Sequence, residues 1–129
     1  MTGEHPYLTI EVASAPAAHT ILLIGEADLL GAPRIEAALE DACAHAPGLV
    51  VIDLSNLTFI DSSCLQALIR GHEQCVAGGH RLRAIPGPAN VQRLFEITGI
   101  DEILAFTDAA DEGGAAVSSS NGTTPRTGA

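Results

Sequence analysis

One short run, Leu49-Val50-Val51-Ile52-Asp53-Leu54, is β-branched and apolar and has a helical pattern on either side. Ahead of it, Ile35, Ala38, Leu39 and Ala42 fall on one helical face within residues 32–46. Behind it, Leu65, Leu68, Ile69, His72 and Val76 follow the same period across residues 61–77. A strand with almost no polar alternation is one covered on both faces. Framed by two amphipathic helices, it reads as a central parallel strand in a chain of alternating strands and helices.

The flanking segments extend that pattern. Residues 8–13 (LTIEVA) alternate apolar and polar, as a half-exposed strand does, and residues 20–25 (TILLIG) form a second strand that closes a hairpin with the first. Residues 26–31 form a loop carrying Glu26 and Asp28. Pro33 suits the first turn of a helix, and Pro47-Gly48 stops it. Residues 55–60 cross over to the second helix, which Gly78-Gly79 ends. A strand at 81–85, a helix at 89–98 carrying Val91, Leu94 and Phe95, and a strand at 103–106 complete the series. A fourth helix begins at Thr107, weakened by Gly113-Gly114. The predicted fold class is α/β: one domain over residues 1–117, with a mixed, mostly parallel sheet of about five strands flanked by three to four helices. Residues 118–129 (SSSNGTTPRTGA) hold nothing that anchors a core and read as a disordered tail.

Charge narrows the function. Sixteen Asp and Glu face six Arg, there is no Lys, and the net charge is −10. No basic face can be assembled for a phosphate backbone, so no nucleic-acid partner is expected. The missing Lys removes P-loop and Schiff-base chemistry, and the Lys that a response-regulator receiver uses beside its phospho-Asp. No apolar run reaches the roughly 18 residues of a membrane span, so no membrane partner is expected. The N-terminus lacks the basic start and apolar stretch of a signal peptide, so a cytoplasmic location is expected. There Cys43, Cys64 and Cys75 read as three free thiols packed as small hydrophobes.

In open parallel sheets, sites lie beyond the carboxyl ends of the strands. Two loops should meet there, one with Glu26 and Asp28, the other leading into Asp61-Ser62-Ser63-Cys64. Those four residues open a helix, and capping alone accounts for their composition. Either Ser63 is the N-cap, with Gln66 completing a capping box, or Asp61 is, with Ile60 and Leu65 as a hydrophobic staple. The same geometry makes a serine there a good phosphoacceptor, its phosphate received by unpaired N–H groups and the helix dipole. Phosphorylation would add a charge of about −1.5 to −2 at one spot.

The stretch from Val51 to Leu65 (VIDLSNLTFIDSSCL) resembles the signature of bacterial anti-sigma factor antagonists, small proteins of the STAS fold. Gly25-Glu26-Ala27-Asp28 is similar to that family's Gly-Glu-x-Asp loop, and residues 91–100 (VQRLFEITGI) to its third helix. The resemblance spans about residues 7–108. It implies partner switching: the antagonist binds an anti-sigma factor that is also a serine kinase, is switched off by phosphorylation, and is restored by a serine phosphatase. It places the phosphoacceptor on Ser62, with Ser63 as runner-up. It puts Glu26, Asp28, Asp61, Ser63 and Cys64 on the partner-facing surface. Cys64 departs from the family's usual Gly. The chain itself is then a regulator and not an enzyme, with no cofactor of its own.

Other readings draw on the same residues. A STAS adaptor that binds without being phosphorylated is one. Cys64 and Arg70 have the Cys-x5-Arg spacing of a thiol phosphatase, although the intervening LQALI is an apolar helical run and not a phosphate loop. His72, Cys75 and His80 read as a core-edge histidine and a buried thiol before a metal set, and Glu26 with Asp28 as a solvated loop or partner contact before a Mg²⁺ site.

Overall fold

The computed structural model describes residues 7–45 and 48–106. Strands β1 (Leu8–Ser14) and β2 (His19–Ala27) form the expected hairpin. Helix α1 (Ala32–His45), strand β3 (Leu49–Ile60), helix α2 (Ser62–Ala77), strand β4 (Arg81–Ile85), helix α3 (Ala89–Thr98) and strand β5 (Ala105–Phe106) follow. The strands lie in sequence order in one sheet, antiparallel between β1 and β2 and parallel from β2 onward. Among the described residues this is the mixed five-stranded, three-helix α/β architecture the pattern predicts. The expected fourth helix and the tail lie outside the described residues. No described helix is long and apolar enough to cross a membrane.

Strand β3 organises the core. Val50, Ile52 and Leu54 point to one face of the sheet and pack with Ile35 and Leu39 of α1, Leu65 and Leu68 of α2, and Val91 and Phe95 of α3. The alternate residues Leu49 and Val51 form a second, smaller cluster with Ala18 and Ile85. Phe95 meets Phe106 edge to face, with ring centroids 5.1 Å apart.

Helices α1 and α2 run side by side along a tight seam. Arg70 reaches Glu36 with two hydrogen bonds of 2.7 and 3.1 Å at one end, and Cys43 and Cys75 are joined by a disulfide at the other. Between them Gly71 makes the approach possible: a Cβ there would stand 2.4 Å from Leu39 Cδ1. The disulfide corrects the expectation of three free thiols; only Cys64 is free.

Three boundaries differ from the expectation. Residues 55–60 are not a crossover but the second half of β3, paired with β2 as far as Ala27↔Ile60. Glu26 therefore stands on a strand and not in a loop. The last strand is only Ala105–Phe106, because Ile100–Glu102 winds into a 3₁₀ turn after Gly99.

Candidate functional site

The long β3 carries its carboxyl end level with that of β2, and the amide of Asp61 donates to the Ala27 carbonyl at 2.9 Å. Gly25 makes the β2 end possible. Its φ is +106°, and a Cβ would stand 2.2 Å from the Tyr7 carbonyl oxygen, to which the next amide, Glu26 N–H, donates at 2.7 Å. The register slips at this point, and the chain then turns at Asp28. Asp28 caps the 3₁₀ turn Leu29–Gly31, accepting from the Leu30 amide at 3.1 Å.

Asp61 is the N-cap of α2, which settles the capping register that the sequence left open. Its Oδ1 accepts from the Ser63 amide at 2.8 Å and also from the Ser63 hydroxyl. Ser62, at the first helical position, is exposed. The amides of Cys64 and Leu65 already donate to the Asp61 carbonyl at 3.0 and 3.3 Å. The set of unpaired amides expected to receive a phosphate is therefore largely used up by the cap, and Asp61 directly precedes Ser62 in the chain.

Cys64 is not on the surface, against its expected place on the partner-facing side. It is fully buried, and its thiol donates to the Asp28 carbonyl oxygen at 3.2 Å, tying α2 to the turn after β2. Burial first, then the charges of Asp61 and Asp28, push that thiol up to about 12. A phosphatase nucleophile needs the opposite shift. Arg70, the other half of the Cys-x5-Arg spacing, is exposed and committed to Glu36, which it holds below the usual carboxylate range. The two groups do not converge on an anion, and the phosphatase reading falls.

An open depression of about 430 Å³ lies at the mouth of the helix seam, between Leu29, Pro33 and Glu36 on one side and Ser62, Gln66 and Arg70 on the other. Leu29 and Leu30 are 65% and 69% exposed beside it. Sequence reasoning missed these two leucines and Arg70's tie to α1. Their signal was two adjacent apolar residues placed directly after the loop aspartate. Among the described residues, no three metal-ligating side chains cluster.

The fold has known counterparts. The family model described as Mlab, STAS domain matches residues 10–105, and the chain belongs to the STAS domain family. An anti-sigma-B factor antagonist of Listeria monocytogenes is 26% identical over 106 residues, covering 81% of this chain and 93% of that protein. Two solved structures share the fold. An anti-sigma factor antagonist from Mycobacterium paratuberculosis superposes with a TM-score of 0.73 at 23% identity, over 90% of this chain and 97% of that one. The Bacillus cell fate determinant SpoIIAA in its phosphorylated form gives 0.65 at 19% identity, over 83% and 96%.

Proposed function

We propose that this STAS domain is an anti-sigma factor antagonist, a regulator without catalysis of its own, switched by phosphorylation of Ser62. Its partner is an anti-sigma factor with serine kinase activity, which brings the ATP, and a serine phosphatase reverses the modification. The exchange takes place in the cytoplasm. One observation carries the reading: of two adjacent serines, Ser63 is engaged by the capping carboxylate while Ser62 stands exposed at the mouth of a groove. The name of the Listeria relative supports it.

The groove supplies the rest of the contact surface. Leu29 and Leu30 offer apolar area that a partner can bury, and Asp61, directly before the serine in the chain, and Asp28, whose charge is felt at neighbouring Cys64, make this end of the domain negative. A partner for this face presents apolar residues and cations. The test is intact mass and phosphopeptide mapping after incubation with the cognate anti-sigma factor and Mg-ATP. One added phosphoryl group, mapped to Ser62, is expected. A phosphate on Ser63 would move the site by one residue. Tight binding with no phosphate on either serine would leave the non-phosphorylated adaptor as the function.

A further inference from the structure

The Cys43–Cys75 bond stands at the far end of the α1–α2 seam from the groove, joining residues 32 apart in sequence with Cα atoms 5.6 Å apart. We propose that it is a reversible redox clip, opened by small thiols of neutral or positive charge that enter at Cys43. This reading is independent of the phosphorylation switch.

Three observations support exchange over a permanent staple. First, the core does not need the bond. Leu39, Ala42, Leu65, Leu68 and the inner face of β3 bury an apolar core between the helices and the sheet that does not consist of the sulfurs. Two thiols left in place are small hydrophobes that need no partner, so the reduced chain keeps its fold. Second, the two sulfurs differ in access. Cys75 is fully buried, whereas Cys43 is only half-buried at the edge of the core. Third, the remaining cysteine is kept out of the chemistry. Cys64 is fully buried near the opposite end of α2, with its thiol pushed well above the ordinary range, so it supplies no thiolate to reshuffle the bond.

The charge class of the reductant follows from the surroundings. On α1 the nearest ionisable residues in sequence are Glu40, Asp41 and His45, with His45 paired to Asp41; on α2 they are His72 and Glu73; and after α2 come His80, whose amide donates to the Cys75 carbonyl at 2.7 Å, and Arg81 and Arg83 of β4, which packs against α2. Arg70 is tied to Glu36. Three carboxylates on the two helices stand against two arginines on β4, so the balance at this end of the seam is negative on a chain of net charge −10, and it repels anionic thiolates.

The chemistry balances as ordinary thiol–disulfide exchange. The thiolate sulfur of the small thiol attacks Cys43 Sγ, the Sγ–Sγ bond breaks, and Cys75 leaves as a thiolate and takes up a proton. A second small thiol attacks the mixed disulfide and releases Cys43. Two small thiols become one small disulfide while the protein gains two thiols. The need to expel Cys75 into the core makes the clip slow to open.

The experiment uses the full chain. Under denaturing conditions the air-oxidised protein should titrate one thiol and the reduced protein three. Reduction should lower Tm by about 10 °C, given the long loop the bond closes. Native-state opening is then timed with cysteamine, 2-mercaptoethanol and 3-mercaptopropionate at pH 8, each rate divided by that thiol's rate on hydroxyethyl disulfide. Cysteamine should exceed 3-mercaptopropionate by about fivefold at low salt, and the gap should close in molar salt. Three thiols in the oxidised protein, an unchanged Tm, a chain that unfolds once reduced, or normalised rates indifferent to charge would each overturn the proposal. Cys43→Ser, which removes the bond and keeps the partner thiol buried, should match the reduced chain in Tm.

Discussion

Asp61 and Ser63 are bound twice through a single oxygen: Asp61 Oδ1 accepts from both the amide and the hydroxyl of Ser63. This fixes the first turn of α2 and turns the neighbouring Ser62 outward. The two serines, equivalent by composition, thus have different work. Removing the acceptor should cost more than removing one donor. Asp61→Ala should destabilise the domain by about 1–2 kcal/mol, as loss of an N-cap does. Ser63→Ala, which keeps the cap, should cost about 1 kcal/mol or less. Urea unfolding of the two variants checks the order, and a larger loss for Ser63→Ala would make Ser63 the residue that holds the turn.

The seam offers a second stability test. Gly71→Ala gains about 1 kcal/mol of helix propensity. Against it, the new Cβ meets Leu39 at 2.4 Å from Cδ1 and 3.1 Å from both Cβ and Cγ, and Leu39 is fully buried. Overpacking of this kind costs about 1–3 kcal/mol, so the net effect should be destabilising. A raised unfolding midpoint would show that α1 moves away freely.

The strand and helix series was legible in the sequence because each piece has a strong period. The run around Val51 and the stripes through Ile35 and Leu65 admit one reading. The second half of β3 was not, because Ser55, Asn56 and Thr58 look like a loop. They continue as strand because β3 outruns β4, whose last partner is Ile85 opposite Asp53, and then pairs with β2 alone. Asp53 also binds the Ser55 amide at 2.9 Å and the Ser55 hydroxyl at 2.6 Å, satisfying the first polar residues of the extension. The disulfide was illegible for a different reason: cysteine spacing does not encode pairing. Its signal was two cysteines near the ends of neighbouring helices, spaced much as the Glu36–Arg70 and Glu40–Gln74 contacts are. The serine site could be read because its motif is local. The burial of Cys64 could not, because it depends on how the turn at Asp28 closes over it.

Cys64 should be silent in function and visible in alkali. The unfolded thiol titrates at about 8.5, and the folded one at about 12. Between those values the folded chain holds a proton that the unfolded chain has lost. Stability should therefore fall as pH rises from about 9 toward 12 and show no contribution from this group below about 8. Cys64→Ser should flatten that alkaline slope while leaving partner binding near normal. An unchanged slope would mean that the thiol is solvated, as would its alkylation in the native protein at pH 8.

Asp28 tests the loop that the Gly-Glu-x-Asp resemblance singles out. Asp28→Asn keeps an oxygen to accept from the Leu30 amide, so the turn and the thermal unfolding midpoint should change little. The negative charge at the turn facing the start of α2 is lost. Kinase-dependent phosphorylation or partner affinity should shift severalfold. If both are unchanged, the carboxylate has no part in the exchange.

Ser62 carries the functional reading, and its surroundings say where the effect of a phosphate falls. The amides of Ser63, Cys64 and Leu65 are already used, and Asp61 directly precedes Ser62 in the chain. A phosphate on Ser62 therefore adds charge to a face that has little to neutralise it, with Arg70, which lines the same groove, held by Glu36. Exposed to water, it should leave the domain folded. In a complex the same charge is desolvated against the partner, and mismatched charge at an interface costs several kcal/mol. A loss of about 2.8 kcal/mol weakens binding about a hundredfold. Ser62→Ala should bind the anti-sigma factor whether or not ATP is present. Ser62→Asp should bind it weakly, by less than the full phosphate effect, because a carboxylate carries less charge. Titration calorimetry of both variants, alongside the phosphorylated parent, measures this. Equal affinity for Ser62→Ala, Ser62→Asp and the phosphorylated protein would remove the switch from this residue.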